Sequence, residues 1–503
     1  MARDPQGALV ALNRFGFGAR GGASGDFASA ATDPRGFVKA ELAKPNAALL
    51  EQPSLRPTAD LAKAFFAFNA EQRKQRAADA KAAQAKAAES QAQMVEQPKP
   101  STEASPPASQ AEPQQPNMVR PPEPPQRETP QPIDVIVKTY RAEALARFQR
   151  ATLVEAGFVE RLATFWSNHF CVSASKGGNV RILAGAFERE AIRPHVLGRF
   201  ADMLLAVEQH PAMLLFLDNQ QSLGPNSRAG INRKRGLNEN LAREILELHT
   251  LGVGGGYSQD DVTSLARIIT GWTFVGPEGR LGEPGTFTFN VNAHEPGAHA
   301  LLGKTYPDTG LTQGHEALKD LARHPSTAKF IATKLVRHFV ADDPPQALVA
   351  RLAQRFAKTD GDLKAIALEL LDADEAWKAP LTKIRSPYEA VIATGRMLAR
   401  VPEQPMRYLG NLNVLGQPLW SPAGPNGFAD TNDTWASPEG MKLRLDLAAQ
   451  IASRTGDAFD PRELIDVIAG AAASKETQLT IERAESRQQA MALLLMSPEF
   501  QRR

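Results

Sequence analysis

Residues 238–251 read NENLAREILELHTL and hold the densest set of groups able to do chemistry. At about 100° per residue, Leu241, Ala242, Ile245 and Leu248 form one apolar face, and Asn240, Glu244 and Glu247 lie together on the far side. Two carboxylates and an amide at i, i+4 and i+7 can hold a hard cation that keeps some of its waters. Glu244 and Glu247 are therefore the metal candidates. The plainer expectation for the same residues is a solvated or salt-bridged face, with Glu239 and Arg243 paired at i, i+4. His249 falls at the edge of the apolar face, where a single histidine is ordinarily a hydrogen-bonded core residue.

A second helix is predicted over 326–340 (STAKFIATKLVRHFV), with a capping signal at Ser326 or Thr327 and a buried stripe of Ala328, Ile331, Ala332, Leu335 and Phe339. Lys334, Arg337 and His338 cluster at i, i+3 and i+4 on another arc. They form an anion-binding arrangement, the complement to a carboxylate face, or simply a solvated basic face. In 158–170, His169 is in register with Phe158, Leu162 and Phe165, beside Trp166 and Asn168. An imidazole directed inward must be hydrogen-bonded to be tolerated, and a core histidine is the plainer reading. The loop 292–299 carries His294, Glu295 and His299, but i, i+5 is not a metal-ligand spacing.

The candidate catalytic residues are thus His169, Asn240, Glu244, Glu247, Lys334, Arg337, His338 and His294. Both charged helices must bury an apolar stripe. They are expected to face one another across a polar cleft, Glu244 and Glu247 opposite Lys334, Arg337 and His338, with His169 entering from its own helix. No His-Glu-x-x-His, phosphate-binding loop or Gly-x-Ser-x-Gly elbow is present, and GVGGG at 252–256 reads as a helix stop. The residues leave the cofactor unknown.

The elements that must position these groups are mostly helices. The chain has 503 residues, 42% hydrophobic and only 7% aromatic, rich in Ala and Leu. Spacing near 3.6 recurs in 151–170, 181–209, 258–270, 314–323, 344–356 and onward to 481–496. Only 285–306 alternates, around Phe287 and Phe289, and reads as one short β-hairpin. The predicted fold is mostly α: a multi-helical globular body with one short hairpin and a disordered Pro-rich insertion. It divides into an N-terminal helical part (1–69), a solvated helix and a Pro/Gln/Glu-rich insertion (70–133), and a main helical body (134–503). The insertion proper, 97–133, cannot bury enough apolar surface to offset the entropy of ordering.

A net charge of +2 argues against nucleic acid as a partner, and the lone Cys171 excludes an internal disulfide or a cysteine-based metal site. No apolar run reaches membrane-spanning length, and the first residues lack the apolar stretch of a signal peptide. The expectation is a soluble cytoplasmic protein, unless it is exported with a partner.

Several long segments carry a resemblance: ALNRFGFGAR near the start, FWSNHFCVS, NENLAREILELHTLGVGGGYSQDDVTSLARIITGWTF, HPSTAKFIATKLVRHFVADDPP and SPEFQRR. In this order they resemble the bacterial family termed domain of unknown function 1800, with 70–133 as an added segment. The resemblance implies no activity. It does imply a neighbour: genes of this family often lie beside those of the 1501 family, whose members resemble alkaline phosphatases and sulfatases and often bear twin-arginine export signals. Many 1800 members carry export signals too, which this chain lacks at its start. Two functions are therefore expected. One is an interaction, maturation or subunit protein acting with an exported 1501-family partner. The other is a metal-dependent or acid/base hydrolase using the polar cleft.

Overall fold

The computed structural model describes residues 3–22, 25–95, 134–231, 233 and 236–503, so the 97–133 insertion lies outside the described residues. The chain forms two units, Met1–Lys63 with Ile136–Arg503, and Ala64–Val135. The smaller unit contains most of one helix, Thr58–Val95, whose residues 70–88 are exposed all round. Strong helix formers and i, i+4 contacts such as Gln75 to Asp79 (2.9 Å) sustain it without an apolar face.

The larger unit is built almost entirely of helices, each started by local chemistry. Asp4 caps Pro5–Asn13, Ser258 and Asp261 form a capping box, and Ser386 and Glu389 form another at the start of Pro387–Met397. Two core helices matter most for function, Phe158–His169 and Pro325–Phe339. Their first and last phenylalanines, Phe158 and Phe339, meet at 5.4 Å, and Phe15 packs on Phe158 at 5.7 Å. The ALNRFGFGAR motif is scaffold around this contact. The Arg14 guanidinium donates to the carbonyls of Ala376, Ala379 and Pro380, and the Gly16 and Gly18 carbonyls accept from Arg161 and Arg396. Among the described residues no helix is long and apolar enough to cross a membrane.

Four local expectations need correction. The 181–209 helix is interrupted: Gly178–Phe187 runs into a π turn, Glu188–Ile192, then a 3-10 turn, Arg193–His195, before Phe200–Glu208. Pro194 lacks the N–H that a continuous helix needs. In 238–251 the α-helix covers only Asn240–Glu244 and continues as a π turn, Ile245–His249. That widened turn brings His249 fully inside. The cap of Pro325–Phe339 is His324, whose Nδ1 accepts from the Ser326 N–H at 3.2 Å, while the Ser326 hydroxyl donates to the Gly255 carbonyl. Finally, two small antiparallel sheets replace one hairpin. Phe287–Phe289 pairs backward with Trp272–Phe274, and His299–Leu301 pairs with Lys304–Tyr306. The second pair is a two-residue hairpin whose Leu302 and Gly303 both have positive φ, as the strand twist requires.

Candidate functional site

A cavity of ≈ 280 Å³ opens between Phe158–His169, Pro325–Phe339, the first turn of Pro387–Met397 and the irregular segment 415–431. That segment has no ladder of its own and is fixed from outside. The Asn168 side chain donates to the Phe428 carbonyl (2.9 Å) and accepts from its N–H (2.8 Å). Gly427 makes the approach possible: its φ is +73°, and a Cβ there would lie 2.4 Å from the Asn168 carbonyl oxygen.

Four of the eight candidate residues line this cavity: His169, Lys334, Arg337 and His338. Lys334 Nζ donates to His169 Nδ1 at 2.9 Å. The other ring nitrogen, Nε2, donates to the His249 carbonyl at 3.2 Å, which defines a neutral imidazole. Burial, and then the Lys334 charge, push the His169 pKa well below the ordinary histidine value. Burial also pushes the Lys334 ammonium down to about 8, against the smaller pull of Cys171 and Asp430. Arg337 Nε donates to the Asp342 carbonyl at 3.2 Å, and its guanidinium borders the cavity. Among the described residues, no carboxylate lies within 4.0 Å of Lys334 or Arg337.

His338 has a different role. Its Nδ1 donates to Asp430 at 2.6 Å and its Nε2 accepts from Arg161 at 3.1 Å, so neither nitrogen is available to a substrate. Burial holds its pKa down to about 4 in spite of Asp430. The ring closes through Glu389, whose two oxygens lie 3.1 Å from Arg161 and 2.8 Å from Arg503, and through Arg503 to Asp430 at 3.0 Å. Arg503 also donates to the His338 carbonyl. Burial alone would raise the Glu389 carboxyl, but Arg161 and Arg503 outweigh it and hold it at about 2. Burial likewise works against ionised Asp430, and His338, Arg503 and Lys383 keep it far below the usual carboxylate range.

Asn240, Glu244, Glu247 and His294 do not line the cavity. Asn240 is exposed at the start of its helix. Glu244 is half-buried, its pKa raised by burial against the opposing pull of His249. Glu247 lies 3.4 Å from Arg243. His294 is buried elsewhere, its Nδ1 bonded to the Thr270 carbonyl at 3.0 Å. The helix that carries the glutamates touches the site through the His249 carbonyl, and His249 Nδ1 in turn meets Glu208 at 2.8 Å. Among the described residues, no three His, Cys, Asp or Glu side chains come together as a metal ligand set.

The carboxylates beside the basic cluster are Glu389 and Asp430, which the sequence reading did not single out. Glu389 had a visible signal, the Ser-Pro-Tyr-Glu capping box at 386–389. Arg503 sits in the SPEFQRR segment, and Asp430 in a Pro- and Gly-rich stretch without periodicity. Cys171 is buried beside the site, its thiol pushed up to about 12 by burial and donating to the Pro425 carbonyl. A family model described as Protein of unknown function (DUF1800) matches residues 10–502. No curated protein and no solved structure matches the chain.

Proposed function

The chain belongs to the DUF1800 family, and from the geometry of its cavity we propose that it is an enzyme that holds a small anionic substrate at Lys334 and Arg337 and works by acid/base chemistry through the Lys334–His169 pair. One observation carries this reading. Arg161, Lys383 and Arg503 around the same cavity each have a carboxylate within ion-pair distance, whereas Lys334 and Arg337 have none among the described residues. Holding two cations without a counter-charge at one cavity is costly, and a bound carboxylate or phosphoryl group would relieve it. An amine that titrates near 8 exchanges its proton close to neutral pH, as an acid/base group must. His169 receives that hydrogen bond, and the His249 carbonyl fixes its tautomer.

The test is ligand-dependent stabilisation. Inorganic phosphate, oxalate and pyruvate are titrated into the protein and the Tm is followed. At least one should raise the Tm in the natural protein and lose most of that effect in Arg337→Met. Identical shifts in both proteins, or none in either, would remove the proposal. A second reading, a complex with a 1501-family protein, is supported by the exposed polar helix over 70–88. Co-expression and pull-down test it, and failure to co-purify at low and high salt would count against it.

A further inference from the structure

We propose that Lys334 is a nucleophile toward the carbonyl carbon of a 2-oxo acid, forming an imine inside the cavity while Arg337 holds the substrate carboxylate. This rests on the reading of the cavity as an anion site, and it adds the reacting atom and the substrate class. Lys334 and Arg337 are one turn apart on Pro325–Phe339, and both line the cavity. A 2-oxo acid presents its carboxylate on the carbon next to the ketone, so two cationic side chains one turn apart can address both groups at once.

The surroundings of the amine favour nucleophilic use over simple charge pairing. A structural ammonium is ordinarily pinned by a carboxylate. Here the hydrogen-bond partner of Nζ is a ring nitrogen that accepts, His169 Nδ1, at 2.9 Å. The same cavity is lined on one part by the apolar rings of Phe165 and Phe428. The Phe330 ring centroid lies 5.4 Å from Nζ, placed to stabilise a cation there, the protonated imine included. Burial supports the same use. With its pKa near 8, the amine holds a neutral fraction at pH 7 more than about a hundredfold above that of an ordinary lysine.

The step balances without an oxidant or reductant. The lone pair of neutral Lys334 Nζ forms the C–N bond, and the carbonyl oxygen takes up a proton to give a carbinolamine. Nζ passes a proton to His169 Nδ1. His169 returns it to the hydroxyl, which leaves as water, and the nitrogen lone pair forms the C=N bond. Amine, ketone and one proton become protonated imine and water.

The experiment treats the full chain with pyruvate as probe, reduces with sodium borohydride and maps the adduct by peptide mass spectrometry. The expected result is a reduced pyruvyl adduct concentrated on Lys334, with Arg337→Met lowering its yield about tenfold at the same pyruvate concentration. Lys334→Arg, checked for an unchanged Tm, should carry no adduct at that position. Mapping the natural protein gives the answer even if that variant folds poorly. Absence of a Lys334 adduct, or labelling there no greater than at exposed lysines such as Lys74, overturns the imine. If anions still raise the Tm in an Arg337-dependent way, the anion site stands without the imine. If they do not, both fall.

Discussion

Lys334 and Glu389 face the same cavity and should answer substitution in opposite directions. Lys334 is depressed in the folded state, so at pH 7 its proton is bound less tightly there than in the unfolded chain and the side chain costs stability. Lys334→Met should raise stability by about 1–2 kcal/mol while removing the anion response. A fall in Tm would show that the bond to His169 is structural. Glu389 sits between two buried guanidiniums, and Glu389→Gln strips the charge that both rely on. A loss of about 3–5 kcal/mol is expected in urea denaturation. At this scale four of the eight candidates named from the sequence line one cavity. His169, Lys334, Arg337 and His338 show as polar groups at fixed offsets on amphipathic helices. Which carboxylates answer them depends on Glu389 and Asp430, far away in the chain, and no local spacing encodes that pairing.

At the scale of elements, periodicity found the two helices that build the cavity because each buries a continuous apolar stripe. It missed the π turn at Ile245–His249, since ILELH satisfies a 3.6-residue pattern equally well and only burial of His249 against Glu208 distinguishes the two. It also misplaced a cap. Pro325 occupies the first helical position, so the residue before it is the cap, whatever the preference for Ser or Thr. The 415–431 segment has no periodicity to read, and its shape comes from bonds to surrounding elements, among them Asn168 to Phe428, Ser173 to Pro422 and Tyr140 to Leu419. Gly427→Ala would place a side chain at positive φ and against the Asn168 backbone. It should cost about 1–3 kcal/mol and speed hydrogen exchange at the Phe428 amide. Unchanged exchange would mean that the segment is held by other contacts.

At the scale of the whole molecule, mostly helical architecture followed from composition and spacing. Acid stability belongs to this scale too, because the ring around His338 joins residues 161, 338, 389, 430 and 503. His338 has a folded pKa of about 4 against an unfolded value near 6.5, so its contribution is complete above about pH 6.5. It is lost at about 1.4 kcal/mol per unit as the pH falls toward 4. Asp430 and Glu389, both depressed, add to the loss below about pH 4. Urea unfolding at pH 7, 5.5 and 4 should show a steady decline, and equal stability at pH 7 and 4 would contradict the ring.

That ring also dictates an order of events during synthesis. The ribosome delivers its members one after another, and Arg503, which touches Glu389, Asp430 and the His338 carbonyl, emerges after all the others. Until then Glu389 and Asp430 cannot be enclosed without leaving carboxylates short of a counter-charge. A nascent chain must therefore hold this region open to water until Arg503 is made, with the apolar stripes of Phe158–His169 and Pro325–Phe339 still unburied. Until that residue is made such a chain exposes aggregation-prone apolar surface, and the cavity is not complete before Arg503 joins the ring.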